Sequence, residues 1–366
     1  MLLRTLCLLA SLLLAACSSK EDAPPLWQTV EIPTDAEFNG ICFADSLEGW
    51  LTGGGWAIDG GIVGHTQDGG RSWRFATGIA SGGSDFALGR LHFFDRFNGI
   101  SVGRFGKVIL TGDGGESWRP ARKSNYSGAS LFDVQFLDRY HGWAAGPGVF
   151  VRSEDGGETW EDPIRGSELE GYLHCTSVHF VNPRRGWLAG LDGFFMRTDD
   201  GGDSWTRVEL PLRPNQHPSL RDVTFLDDSL GWVVGEEGSI FHTADGGETW
   251  VLQENGVPVV RILPRGEPPR PREPIPELEM APDRLTLFAV QFADPYRGWT
   301  VGYYADVAES VVLGTHDGGE TWQIEHTQSG ELLRALFVLD ASHAWASGDR
   351  ARTQPQVVLR FVGGAS

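Results

Sequence analysis

A chain of 366 residues with 49 acidic and 30 basic side chains carries a formal net charge of −19. A surface of that sign repels phosphate backbones, which excludes nucleic acid as the expected partner. Gly (49) and Trp (14) are abundant and no stretch sustains a 3.6-residue apolar period, so the pattern points to many short strands and tight turns.

At the amino terminus, Arg4 precedes an apolar run from Leu6 to Ala15. The run is shorter than the roughly 20 residues of a membrane-spanning helix and reads as the apolar region of a secretory signal. Leu14-Ala15-Ala16-Cys17 resembles the lipobox of bacterial lipoproteins, in which the cysteine becomes the acylated first residue. The expectation is therefore a leader over 1–16, lipid on Cys17 and a polar tether over 17–25. This makes the chain an exported protein anchored by the lipid on the periplasmic side or at the cell surface. Ser18 after the cysteine, in place of Asp, favours the outer membrane if the host is Gram-negative. Beyond Cys17 only Cys42 and Cys175 remain; they fall in different repeats and read as small buried hydrophobes.

From residue 26 onward the chain is repetitive, and repeats take precedence in reading a fold. Thr66-Gln-Asp-Gly-Gly-Arg-Ser-Trp73 recurs as Thr111–Trp118, Ser153–Trp160, Thr198–Trp205, Thr243–Trp250 and Thr315–Trp322. Each copy reads as a hairpin turn in which Asp accepts backbone N–H groups two or three residues on and Gly supplies positive φ. The Trp then opens the next strand and is expected to bury its ring between neighbouring sheets. A second motif precedes each turn: Phe43-Ala-Asp45 then Gly49-Trp50, with counterparts at Phe136/Trp143, Phe180/Trp187, Phe225/Trp232 and Phe292/Trp299, and weaker ones at Phe93/Ile100 and Val338/Trp345. Seven first halves stand against six second halves. The missing half is supplied by Trp27–Ile32, which looks like a strand that follows such a turn and is expected to pair with Val357–Phe361. The fold expected over 26–366 is all-β: a single seven-bladed β-propeller of four-stranded blades, its ring closed by the N-terminal strand. The turn tryptophans are spaced 45, 42, 45, 45 and 72 residues apart, and the last gap holds an insertion at about 254–283 with eight prolines, read as an extended arm.

The six turns resemble the Asp-boxes, or BNR repeats, of sialidases and related propellers. The combined pattern of Phe-x-Asp-x3-Gly-Trp-x2-Gly followed by Thr-x-Asp-Gly-Gly-x-Thr-Trp resembles the photosystem II stability and assembly factor family. That resemblance covers nearly all of Trp27 to Phe361 and implies a seven-bladed propeller that serves the assembly of a membrane complex.

The turn aspartates Asp68, Asp113, Asp155, Asp200, Asp245 and Asp317 are spread one per blade, too far apart for the six to eight converging oxygens of a hard-cation site. They read as structural, and neither a metal nor another cofactor is expected. The ten histidines form no close ligand pair. A sialidase-like site would need an early Arg-Ile-Pro motif, but no arginine lies between Arg4 and Arg71; Arg261-Ile-Leu-Pro264 is a near match inside the insertion. Xyloglucanase-like relatives work in a cleft between two propellers, and here there is one. No catalytic residue is assigned; a glycan-binding or glycoside-hydrolysing propeller is the alternative.

With the Asp-boxes on one face, termed the bottom, the opposite face carries Trp56, Asp59, Arg104, Asp192, Glu236, Glu237, Tyr303, Tyr304 and Arg350 on its loops. Arg90, Asp133, Arg221, Asp222 and Arg334 fall near the starts of the innermost strands, at the channel mouth. Aromatic and arginine side chains are enriched at protein interfaces. The expected function is a monomeric, non-catalytic scaffold whose top face binds a protein partner.

Overall fold

The computed structural model describes residues 26–54, 61–76, 79, 87–122, 128–164, 173–212, 217–255, 260–262, 278–280, 284–350 and 356–363. The leader, Cys17 and the tether lie outside them, as do Trp56 and Asp59 and most of the insertion.

Seven antiparallel sheets form the blades of a propeller. Their innermost strands are Glu37–Phe43, Leu88–Phe93, Asp133–Phe136, Cys175–Phe180, Leu220–Phe225, Leu285–Phe292 and Glu331–Asp340. Blade seven takes its outer strand from the other end of the chain: Trp27–Ile32 pairs antiparallel with Gln356–Phe361, Trp27 opposite Phe361 and Ile32 opposite Gln356. Among the described residues six blades have four strands. Blade three has three, its outer strand reduced to an Arg152–Glu161 bridge, because Pro163 follows at once and a proline cannot donate to a ladder. Within the insertion, Val260–Ile262 pairs with Leu278–Met280, so the described part is a two-stranded hairpin and not the purely extended arm expected from its prolines.

Each Asp-box closes the same way. In blade one, Thr66 Oγ1 accepts the Gly70 N–H at 3.0 Å, and the Asp68 carboxylate accepts the Ser72 N–H at 2.9 Å and its hydroxyl at 2.6 Å. The bonded amide lies four residues on, not the expected two or three; the closer spacing belongs to the Phe-x-Asp turn, where Asp45 Oδ1 accepts the Leu47 and Glu48 N–H groups at 2.8 Å. Gly69 and Gly70 adopt φ of +72° and +83°, a region open to glycine at little cost.

Where a repeat holds both tryptophans, they divide their work differently from the expectation. The Asp-box Trp packs edge-on against the Phe of its own blade, as Trp73 does on Phe43 at 6.0 Å and 82°. The Gly-Trp ring is the one that crosses the seam. Trp50 lies flat on Phe93 of the next blade at 3.5 Å, Trp187 on Phe225 at 3.7 Å, Trp232 on Phe292 at 3.5 Å and Trp345 on Phe43 at 3.6 Å. Its indole N–H then donates to the next blade's Asp-box: Trp50 to Gly114 O at 2.7 Å and Trp345 to Gly69 O at 3.0 Å. The Gly before that Trp is needed for space, since a Cβ at Gly142 would fall 2.3 Å from the Phe136 ring.

At the closing seam blade seven offers Val338 where a Phe would stand. Trp299 instead meets Trp27 edge-on at 6.2 Å and Phe361 at 5.1 Å, with the Arg297 guanidinium 4.1 Å above its ring. Both indole N–H groups donate to Glu325, at 3.2 Å from Trp27 and 2.8 Å from Trp299, and Glu325 pairs with Arg297 at 2.9 Å.

Candidate functional site in the channel mouth

The pleat points every second residue of the innermost strands toward the channel or the neighbouring blade, so equivalent positions form rings. Near the bottom, side chains bridge to the next blade's backbone: Gln135 to Phe180 N and O, His179 to Phe225 N at 3.2 Å, Gln291 to Val338 N at 2.8 Å. Burial holds His92 and His179 down at about 4 and pushes the Cys42 thiol up to about 12, so these groups line a central cavity of about 200 Å³ in their neutral forms.

The middle ring is charged. Arg90 reaches Asp222 at 3.0 Å and Asp133 at 3.6 Å, and Ser177 Oγ lies 2.9 Å from a carboxylate oxygen of each. The same Asp133 oxygen, Oδ2, accepts the Val178 N–H and its Oδ1 the Val134 N–H, while the other Asp222 oxygen, Oδ2, accepts the Val290 N–H. Burial raises Asp222 above the ordinary carboxylate range against the pull of Arg90. Burial also acts against the Arg90 cation, but the two carboxylates outweigh it and hold the guanidinium protonated. Asp133 and Asp222 are 3% and 2% exposed, so they are a buried strut and not the surface residues expected from sequence. Every oxygen of the pair is engaged, which leaves no free acid–base couple here.

Above this strut opens a mouth of about 450 Å³ bordered by Arg90, Arg104, Arg221 and Arg334, with Phe132 and Phe288 between them. Arg221 pairs with Glu236 at 2.5 Å and lies 5.8 Å over the Phe288 ring; Arg334 pairs with Asp349 at 2.7 Å. Burial, helped by Glu37 and opposed by Arg334, pushes Asp349 up to about 6. Arg104 begins a three-residue turn, Arg104–Gly106, whose middle residue Phe105 is exposed and held at φ +56°. The same turn recurs with Asp192 and Glu237 at its centre.

Four sequence-chosen arginines are thus brought to one opening. Two tyrosines are not. Blade six extends its second and third strands to seven residues, Gly298–Tyr304 and Glu309–Thr315, so Tyr303 and Tyr304 lie within a strand and not on a loop. Tyr304 is buried against Leu285 and Trp232 in the core of the blade and is unavailable to a partner. Arg350 ends the strand His343–Arg350, its backbone opposite Glu331. Phe132, Phe288 and Ser177 were not singled out from sequence, although aligning the repeats on their conserved Phe places them in the rings of Arg221 and Asp222. The six Asp-box carboxylates serve their own turns; hydrogen bonds from Ser117 hold Asp113 below its ordinary range, and those from Thr249 hold Asp245 at about 2. Among the described residues no three His, Cys, Asp or Glu side chains are placed to hold a metal, and no helix is long and apolar enough to cross a membrane.

Residues 122–220 match the family model described as photosynthesis system II assembly factor YCF48. A curated relative, the chloroplastic photosystem II stability/assembly factor HCF136 of Cyanidioschyzon merolae, is 40% identical over 72 residues; the match spans 19% of this chain and 16% of that protein. Among solved structures, one described as YCF48 bound to D1 peptide superposes on 92% of this chain and 97% of its own (TM-score 0.66, 19% identity). YCF48 from C. merolae gives the same TM-score at 17% identity, covering 92% of this chain and 99% of its own. A GH74 xyloglucanase from Xanthomonas campestris covers 91% of this chain and 55% of its own at a TM-score of 0.57 and 14% identity.

Proposed function

We propose that this photosystem II assembly-factor-like propeller is a non-catalytic, lipid-anchored scaffold that captures a protein segment at its channel mouth. The observation that carries the reading is the mouth itself. Four arginines with two phenylalanines between them border an opening of about 450 Å³, above a floor in which the Asp133 and Asp222 carboxylates are already engaged. Such a surface suits a peptide chain, with guanidinium groups for its carboxylates and carbonyls and aromatic faces for its apolar side chains. One of the similar solved structures is described as bound to a D1 peptide, which supports a peptide as the class of partner. The sequence match to assembly factors supports a role in building a membrane complex, and Cys17 would tie the scaffold to that membrane. Ser18 after the cysteine favours the outer membrane if the host is Gram-negative.

The test is capture of partners from native membranes by parent and variants, each checked by a thermal melt. Arg221→Glu, Arg334→Glu and deletion of 254–283 should abolish capture; Glu158→Lys and Glu320→Lys on the bottom face should not. Capture that is lost only through the bottom-face changes would overturn the reading. The rival reading, a glycoside hydrolase, predicts turnover on a glycan panel that disappears with one top-face carboxylate. For the anchor, Cys17→Ala should end lipid labelling and release the chain from the membrane fraction.

A further inference from the structure

The sixth position of the Asp-box motif is acidic in five of its six copies: Glu116, Glu158, Asp203, Glu248 and Glu320. Where the described residues show its partner, this acid ties its blade to the preceding one. Asp203 pairs with Arg152 of blade three at 2.7 Å, Glu248 with Arg197 of blade four at 2.7 Å, and Glu158 with Arg119 of blade two at 3.0 Å. Arg152 and Arg197 occupy equivalent places on the third strands of their blades. The place they occupy is taken in blade seven by Arg360, and across the seam from it, in the Asp-box of blade one, stands Arg71 instead of an acid.

Two guanidinium groups therefore meet where the repeat elsewhere joins cation to carboxylate. A methyl placed at Gly69 would lie 3.9 Å from both Arg360 Nε and Arg71 Nη1, so both reach one point. Among the described residues neither takes part in an ion pair; Arg71 donates to the Asp68 carbonyl at 2.7 Å, and the Asp68 carboxylate is occupied by Ser72 and Thr66. Burial and the neighbouring Arg71 both press Arg360 toward losing its proton, with Asp68 opposing. Beside the pair runs a groove of about 490 Å³ walled by Trp27, Gln28, Thr29, Val30 and His326.

We infer that this seam between blades seven and one is an anion site that seats the phosphate of a membrane phospholipid headgroup. The missing carboxylate defines the charge of the ligand, and a paired guanidinium fork suits a phosphate. Position defines its source. The register that sets Gln28 opposite Arg360 and Trp27 opposite Phe361 brings the amino-terminal segment into the propeller at this same corner, with Leu26 O accepting the Val362 N–H at 2.9 Å. Cys17 lies nine residues before Leu26, a stretch whose full extension is at most about 30 Å. A lipid on Cys17 would hold this corner against the bilayer at high effective concentration, which offsets the repulsion expected from a chain of net charge −19. Leu47, whose carbonyl accepts the Gly69 N–H and whose side chain is 54% exposed, adds an apolar tip beside the groove. The assignment to a lipid headgroup rests on the anchoring proposed above.

The experiment compares amide exchange of the full chain in maltoside micelles, which carry no phosphate, with the same chain in phosphatidylcholine/phosphatidylglycerol nanodiscs and in micelles with added inorganic phosphate. Nanodiscs should protect the amides of 27–31 and 68–73. Arg71→Gln with Arg360→Gln should cut that protection at least about tenfold, the scale of a lost charge-assisted bond, while leaving the thermal melt unchanged. Equal exchange in nanodiscs and micelles, or protection that survives the double substitution, would overturn the site. Protection by inorganic phosphate but not by nanodiscs would overturn the lipid assignment. The mass of the peptide holding Cys17 reports acylation separately, so failure of the anchor and failure of the groove are different results.

Discussion

Replacing Trp27 with Ala removes the ring that locks the first strand to the last blade. Its indole is 1% exposed, meets Trp299 and Phe361 at 6.2 and 5.3 Å, and donates to Glu325 at 3.2 Å. A fully buried aromatic of this size removes about 150–250 Å² from water, or about 4–6 kcal/mol at 25 cal/mol/Å²; Trp→Ala in cores costs about 3–5 kcal/mol. Taking about 4 kcal/mol and the usual unfolding entropy per residue, the melting temperature should fall by about 6 °C. Gln28→Ala, on the exposed side of the same strand, should leave it within about 1 °C, since isolated surface changes stay near 0.5 kcal/mol. Differential scanning calorimetry of the three proteins gives the answer directly. Should Trp27→Ala melt with the parent, strand Trp27–Ile32 does not hold the ring shut and the closure argument fails. Deleting the chain through Ile32 is the stronger form of the same test and should lower the melt further.

Arg90→Met leaves Asp133 and Asp222 buried without their cation and should destabilise by about 3–5 kcal/mol, read from urea melts; a loss under 1 kcal/mol would contradict the strut. Gly142→Ala drives a methyl into the Phe136 ring and should cost at least about 1–3 kcal/mol by the same measurement. Asp349 is favoured protonated in the fold, so its contribution is present below the unfolded pKa of 3.8 and is lost as pH rises toward 6, up to about 3 kcal/mol. Asp349→Asn should therefore gain on the parent between pH 4 and 6 in paired melts, and a constant gap would refute the assignment. The Asp-box carboxylates act in the opposite sense: Asp245, held at about 2, contributes above pH 4 and loses that contribution as pH falls through 2, so Asp245→Asn should narrow its deficit against the parent on acidification.

The ring of seven blades was legible because the turn chemistry repeats at nearly constant spacing and each motif solves a local problem. Even the closing strand could be found, since Trp27-Gln-Thr repeats the start of an outer strand without its turn. What one dimension concealed was depth. Asp133 and Asp222 read as mouth residues because they sit near strand starts, yet Arg90, Ser177 and the adjoining strands cover them. Arg221, one residue earlier than Asp222, stays at the opening. Tyr304 was read as a loop residue because the repeat predicts a five-residue strand, and nothing local announces that blade six grows two residues longer. Nor could spacing say which tryptophan of a repeat crosses the seam. Both are large and apolar, and only the flat Phe of the next blade decides it.

Ring closure also orders events in time. The last sheet is built from Trp27–Ile32 and from Glu331–Asp340, His343–Arg350 and Gln356–Phe361, partners separated by almost the whole chain. Such a contact is slow to find, because the loop between its halves must be organised first. Until Gln356–Phe361 arrives, the opening strand has no ladder to join and nothing sets its Trp27 beside Glu325. A chain that has not yet gained it therefore presents six blades in search of a seventh, with two raw edges exposed to water and to one another.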